Sequence, residues 1–362
     1  MTRAPVRGVS RRSVIKGGLA VAVASPALAR LSGKAFAAEE AQLNVYNWDT
    51  YIGETTLSDF TAATDINVQY DLYANNEELF AKLKAGNPGY DVIFPSDYMI
   101  ETMISLGMLV EIDHGKISNM ANIDPDPNFS NPPFNPGLKY GVPYMWGTIG
   151  IGYRKSAVSA VPDSWAVIFD SDEYAGRISL LGDMRAMIGL ALKYLGYSMN
   201  TTNPDEIAAA RDLMIKAKKN IKAFAPDAGQ DMLLAGEVDL AVEWNGDIVQ
   251  IMEEDDDISY VVPNEGTMVW IDNICIPTGG PHPDNAHAFL NYILDAQVNA
   301  DIANYIRYAT SNAAAREFVT PEDLANPAIY PPAEVVAKSE SLIDVGDATR
   351  LFDEAWTAIQ AA

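Results

Sequence analysis

Basic residues are scarce in this 362-residue chain, histidine is scarcer, and cysteine is almost absent. There are 25 Lys and Arg against 49 Asp and Glu, with three His and one Cys. A single thiol excludes an internal disulfide, and Cys275 sits in an apolar strand as a small core residue. The formal charge of −24 and a pI near 4.3 repel nucleic acid and anionic lipid, and attract cations weakly. A surface adapted to salt accounts for the same charge equally well. His114, His282 and His287 stand in turn or loop contexts with no zinc-helix spacing, and there is no nucleophile elbow or Walker loop. Gly147, Gly150 and Gly152 are no dinucleotide fingerprint, because no helix opens after them. The acidic run 253–257 lacks an EF-hand pattern and reads as a solvated helix exit. No cofactor and no metal are therefore expected. Long apolar runs are missing too: residues 17–29 are only mildly apolar and too short to span a bilayer, and nothing later looks transmembrane.

What the chain does have begins with a targeting pattern. Ser10-Arg11-Arg12-Ser13-Val14-Ile15-Lys16, the apolar run and the small-residue site Ala35-Phe36-Ala37 read as a twin-arginine signal peptide over residues 1–37. This implies export of a folded protein, to a bacterial periplasm. That segment carries seven bases (Arg3, Arg7, Arg11, Arg12, Lys16, Arg30 and Lys34) and no acids, so its removal leaves 18 bases against 49 acids, a charge of −31. At 48% hydrophobic and 20% charged residues, the remainder is ordinary globular material with room for two domains.

The stretch 268–277 is the most informative. It follows the turn signal Asn264-Glu265-Gly266 and alternates, which predicts a strand with Trp270 and Asp272 on one face and Val269 and Ile271 on the other. Taken singly, that pair reads as a core Trp beside a hydrogen-bonded Asp. A second pairing, Trp244-Asn245-Gly246-Asp247, and a third cluster, Trp48-Asp49-Thr50-Tyr51, change the reading. Indole faces beside carboxylates suit a cationic amine, through cation–π contact along its length and charge-assisted bonds at its ends.

Strands near 43–47, 66–72 and 90–94 alternate with helices near 55–64, 76–85 and 99–106. A Pro-, Asn- and Asp-rich loop, 123–141, separates them from a second set of strands and helices that runs to residue 262. Such alternation predicts α/β architecture with a mainly parallel sheet, whose ligand lies beyond the carboxyl ends of the strands. Trp48 and the turn Ser96-Asp97-Tyr98 fall at such ends. Two α/β sets joined by extended strands suit a two-lobed protein with a cleft between the lobes.

Seven motifs then occur in register: Tyr46-Asn47-Trp48-Asp49-Thr50-Tyr51, Pro95-Ser96-Asp97-Tyr98, Pro143-Tyr144-Met145-Trp146-Gly147, Tyr194-Leu195-Gly196-Tyr197 with Asn200-Thr201-Thr202, Trp244-Asn245-Gly246, Trp270-Ile271-Asp272 and Tyr308-Ala309-Thr310. In order and spacing the series resembles the periplasmic spermidine/putrescine-binding proteins of ABC transporters, from about residue 43 to the C-terminus. The resemblance implies a type II periplasmic-binding-protein fold closing over a polyamine. It implies lobe 1 as residues 38–147 plus 273–310, and lobe 2 as 148–272 plus 311–362. It also implies an aromatic box of Trp48, Tyr51, Tyr98, Trp244, Trp270 and Tyr308, with Asp183 and Asp272 holding ammonium groups and Ser96 assisting. Asp247 matches an acid of putrescine-preferring members, and Asp49 and Asp97 stand beside the rings. Two positions depart: Ala186 replaces a Glu and Leu342 a Gln.

The expected function is therefore the periplasmic binding component of an ABC importer, a non-enzyme and a monomer. Its partners would be a small cationic amine and an inner-membrane permease. With fewer acceptors for a third ammonium, putrescine or another short diamine is expected over spermidine. An ω-amino acid such as 4-aminobutyrate, held through Arg185, is the alternative. A secreted carboxylate-dependent glycosidase is the alternative of a different class, since the acids are plentiful.

Overall fold

The computed structural model describes residues 39–225 and 228–362, so the twin-arginine segment lies outside the described residues. The first α/β set comprises β1 (Gln42–Trp48), α1 (Thr56–Thr64), β2 (Asn67–Tyr73), α2 (Asn76–Lys84), β3 (Val92–Ile93) and α3 (Asp97–Ser105). Helix α2 shows why these segments fold as they do. Asn75 caps it by accepting from the Glu78 amide, Glu77 and Glu78 lie in its first turn, and Lys82 and Lys84 lie in its last. Leu79 and Leu83, one turn apart, bury its inner face.

After α4 (Pro127–Ser130), the 14-residue β4 (Gly141–Arg154) carries the chain into the second set. This set holds α5 (Ala166–Phe169), β5 (Ile178–Leu180), α6 (Met184–Tyr194), α7 (Pro204–Ala217) and β6 (Ile221–Phe224). It continues with α8 (Gly229–Leu234), β7 (Leu240–Trp244), α9 (Asn245–Met252) and β8 (Ile258–Val261). The chain returns through β9 (Val269–Cys275), followed by α10 (Pro283–Ile293), α11 (Ala296–Ile306) and β10 (Ala309–Thr310). It ends with α12 (Pro321–Leu324), α13 (Ala333–Val336) and α14 (Thr349–Ala361).

The strands join in the order β2-β1-β3-β9-β4-β7-β5-β6, with β8 and β10 also pairing to β4. The sheet is mixed, which corrects the expectation of a mainly parallel one. β1 is parallel to β2 and β3, and β5 to β6 and β7, but every pairing of β4 and β9 is antiparallel. Helical crossovers enforce parallel pairing inside each set. The two long strands that carry the chain out and back run in opposite directions. The first half of β4 pairs with β9 and β10, and its second half with β7 and β8, so one strand ties both sets together.

Tyr46, stacked on Tyr90 at 4.4 Å, belongs to the buried core, as do Phe60, Phe289 and Trp165. His287 lies within α10, not in a turn, where its Nε2 accepts from the Asp113 amide. His282 precedes that helix and pairs with buried Asp91 at 2.9 Å. The chain after β10 touches both sets. Ser311 donates to the Tyr144 carbonyl and Asn312 to that of Leu294, whereas α14 packs on α6 and α7. Between them Glu340 is hydrogen-bonded through its backbone to Thr267 and Val269, at the start of β9.

Candidate ligand-binding site

β1 and β7 end in Trp48 and Trp244, and β9 carries Trp270 and Asp272. The two strand ends and the middle of β9 meet at one small cavity of about 30 Å³. Five rings line it (Trp48, Tyr51, Trp244, Trp270, Tyr308), together with Asp49, Ser96, Asp247 and Asp272. All nine residues are candidates from the sequence, and the only charged groups among them are carboxylates.

The rings lie edge to face. Trp244 sits 6.4 Å from Trp48 and 5.7 Å from Trp270, which is 5.3 Å from Tyr308; Tyr51 is 5.2 Å from Tyr308. These separations suit aromatic pairs in contact, so a ligand lodged between them has to part the rings. The Trp48 indole is anchored by donating to the Phe94 carbonyl at 2.9 Å. Glycine permits two of the approaches. A Cβ at Gly246 would strike the Tyr308 ring, and one at Gly147 would strike both Trp270 and the Asn245 side chain.

The carboxylates are held from behind. Asn76 donates to the Ser96 hydroxyl at 3.0 Å, and Ser96 donates to Asp272 Oδ1 at 2.7 Å. Asp272 is 5% exposed; burial pushes its pKa up to about 7, against the Ser96 hydrogen bond. Asp247, in the first turn of α9, accepts from Thr50 at 3.4 Å and is likewise pushed up to about 7 by burial, with Asp49 adding to the rise. A cation that comes to carboxylates in such a place favours their ionised form.

The remaining candidates lie elsewhere. Asp97 is buried at the start of α3, accepts from the Tyr98 amide at 2.8 Å and is pushed up to about 8 by burial. Tyr98 and Asp183 do not line the cavity either. Tyr98 donates to Glu77 at 3.4 Å, and Asp183 caps α6 by accepting from the Ala186 amide at 2.8 Å. Sequence reasoning misses Glu77, which burial and Asp183 push up to about 8. It follows a good N-cap in an amphipathic helix, where an acid is the usual solvated residue, so no local signal marks it. Asn245 is missed as well; its Oδ1 accepts from the Thr148 amide while its Nδ2 donates to the Ala328 carbonyl, pinning the turn between Trp244 and Asp247.

A wider recess of about 880 Å³ lies against the opposite face of β9, beside Val269, Ile271, Trp146, Phe129 and Leu342. Its charges are of both signs, and Arg316 is already paired with Asp124 at 2.5 Å, so it lacks the one-signed lining of the smaller cavity. Among the described residues no group of His, Cys, Asp and Glu is placed to hold a metal. None of the described helices is long and apolar enough to cross a membrane.

Residues 55–332 match the family described as bacterial extracellular solute-binding protein. The chain belongs to that family. As a solute-binding protein it is no enzyme, and the glycosidase alternative falls. The spermidine/putrescine-binding periplasmic protein of Salmonella typhimurium is 36% identical over 341 residues, covering 94% of this chain and 97% of its own. The putrescine-binding periplasmic protein SpuD of Pseudomonas aeruginosa is 33% identical over 91% of this chain and 95% of its own. The substrate-binding protein PotD of a spermidine/putrescine ABC transporter from Streptococcus pneumoniae has a solved structure. It superposes with a TM-score of 0.73 at 33% identity, over 88% of this chain and 99% of that one. The two-lobed α/β fold expected from the sequence is the fold of this solute-binding protein.

Proposed function

We propose that this protein is the periplasmic substrate-binding component of an ABC importer for polyamines, and that it takes putrescine or a similar short diamine in preference to spermidine. One observation carries the reading: a cavity walled by five aromatic rings whose only charged side chains are Asp49, Asp247 and Asp272. A hydrogen bond to a charged amine contributes roughly 1.5–3 kcal/mol, and a desolvated cation–π contact about 2 kcal/mol. Micromolar capture needs about −8 kcal/mol net, after association costs of at least ~4 kcal/mol. No single pair reaches that sum; three carboxylates and five rings do. Two ammonium groups match the two buried acids of this cavity, Asp247 and Asp272, and a third would find only the exposed Asp49 among the acids of its lining. Arg185 favours the diamine over an ω-amino acid, because its guanidinium is outside the cavity and donates to the Ile343 carbonyl.

In this reading lobe 1 is residues 38–147 plus 273–310, and lobe 2 is 148–272 plus 311–362. The lobes close about β4 and β9, as in periplasmic binding proteins generally. The membrane partner is the permease of the importer. Native mass spectrometry of the protein purified without added ligand tests the class of compound held. An adduct with the mass of an aliphatic diamine is expected. An adduct with the mass of a sugar, or of an acidic compound, would contradict the proposal.

A further inference from the structure

Arg185 is the second residue of α6 and only 3% exposed, yet among the described residues no carboxylate lies within 4.0 Å of its guanidinium nitrogens. Its terminal nitrogens reach the Ile343 carbonyl at 3.3 Å and the Asn200 side chain at 3.4 Å, both neutral acceptors, and its Nε has no partner. The guanidinium carbon stands 4.6 Å from the Phe352 ring centroid and 5.9 Å from that of Tyr98. Glu77, Asp183 and Asp344 set up the negative field around it. A cation between two rings, in the field of three acids, is the arrangement that the neighbouring cavity offers to a ligand's ammonium groups.

This second group adjoins the cavity. Glu77 follows Asn76, and Tyr98 lies two residues beyond Ser96, while Asn76 and Ser96 together hold Asp272. A polyamine longer than a diamine would extend its next ammonium group toward Glu77, Tyr98 and Asp183. We infer that Arg185 is a tethered cation that takes the seat of a third ammonium group and thereby limits the ligand to a short diamine. The inference rests on the polyamine reading of the cavity. It also accounts for Tyr98 and Asp183 standing apart from the other site candidates: they face the protein's own cation.

The physical basis is charge accounting in a buried space. Glu77 and Asp183, the acids of that seat, already face one guanidinium and leave little attraction for another cation, and like charges brought together without water repel strongly. Removing the guanidinium frees both acids. Removing one acid while keeping the guanidinium makes the seat more hostile to an amine.

Calorimetric titration with putrescine and with spermidine, on wild type, Arg185→Gln, Arg185→Lys and Glu77→Gln, tests this, with melting curves to show that each variant folds. Wild type is expected to bind putrescine more tightly. Arg185→Gln should shift the spermidine-to-putrescine affinity ratio about tenfold or more toward spermidine, the scale of one close charge pair. Arg185→Lys, which keeps the charge, should retain the wild-type ratio. Glu77→Gln should move the ratio the other way, and it supplies the test on its own if Arg185→Gln does not fold. An unchanged ratio in the folded variants would overturn the inference, as would equal gains for the Gln and Lys variants, which would indicate a steric role. If wild type binds neither amine, the polyamine reading fails, and this inference with it.

Discussion

Asp272→Asn is expected to weaken diamine binding by about 2–4 kcal/mol, roughly 30- to 1000-fold, while leaving the fold intact. The substitution keeps size and shape, and the Ser96 hydroxyl, now 2.7 Å from Oδ1, still finds an amide oxygen. What goes is the negative charge in a place that water does not reach. An ammonium group seated there would then stand beside a neutral amide, with its desolvation uncompensated. Stability should hold or rise slightly, because the ligand-free protein no longer buries a carboxylate whose pKa burial has pushed up to about 7. Calorimetry for affinity and a thermal melt for stability separate the two effects. A variant that unfolds would place Asp272 in the structural core, and one that binds normally would remove it from the site.

The second large effect is on pH. Asp247 and Asp272 both have pKa values pushed up to about 7 in the folded protein, against an ordinary carboxylate value near 4. A raised folded pKa means that the folded state binds protons more tightly than the unfolded chain between about pH 4 and 7. The stability of the ligand-free protein is therefore highest at the acid end of that window and falls as the pH rises through about 7. Asp97 and Glu77, both pushed up to about 8, extend the decline. Binding runs the opposite way. Ammonium groups need the ionised carboxylates, so each acid that is protonated costs about tenfold in affinity per pH unit below its pKa. Between pH 8 and 6 the two cavity acids together should lower diamine affinity by up to about 100-fold. Thermal melts with and without putrescine should show the ligand-free melting temperature climbing as pH falls, while the increment from putrescine shrinks. Parallel trends in the two curves would contradict the assignment of these acids to the ligand.

The reach of the sequence can be judged from the same residues. Trp270 and Asp272 share a face because a strand has a period of two, and that alternation is plain in the stretch from Met268 onward. Trp244 and Asp247 were legible for a different reason. The one ends β7 and the other lies in the first turn of α9, so three residues of spacing carry the ring and the acid to the same cavity. Glu77 was not legible, since Asp183, which together with burial pushes its pKa up, lies more than a hundred residues away. That Tyr98 and Asp183 lie beside Arg185 and outside the lining of the smaller cavity is likewise not legible, because it depends on long-range packing. The parallel ends of the sheet follow from local alternation of strand and helix. Its antiparallel centre is set by β9 returning beside β4, a long-range pairing that no window of sequence contains.

The central claim is that an acid-lined aromatic slot holds a short diamine. Calorimetric titration of the wild-type protein at pH 8 with putrescine, and separately with 4-aminobutyrate, tests it most directly. The two ligands share a four-carbon chain and differ at one end, ammonium against carboxylate. With Asp49, Asp247 and Asp272 as the only charged side chains of the lining, putrescine should bind with micromolar or tighter affinity, and 4-aminobutyrate at least about 100-fold more weakly. Equal or tighter binding of 4-aminobutyrate, or no heat with putrescine in a folded sample, would contradict it.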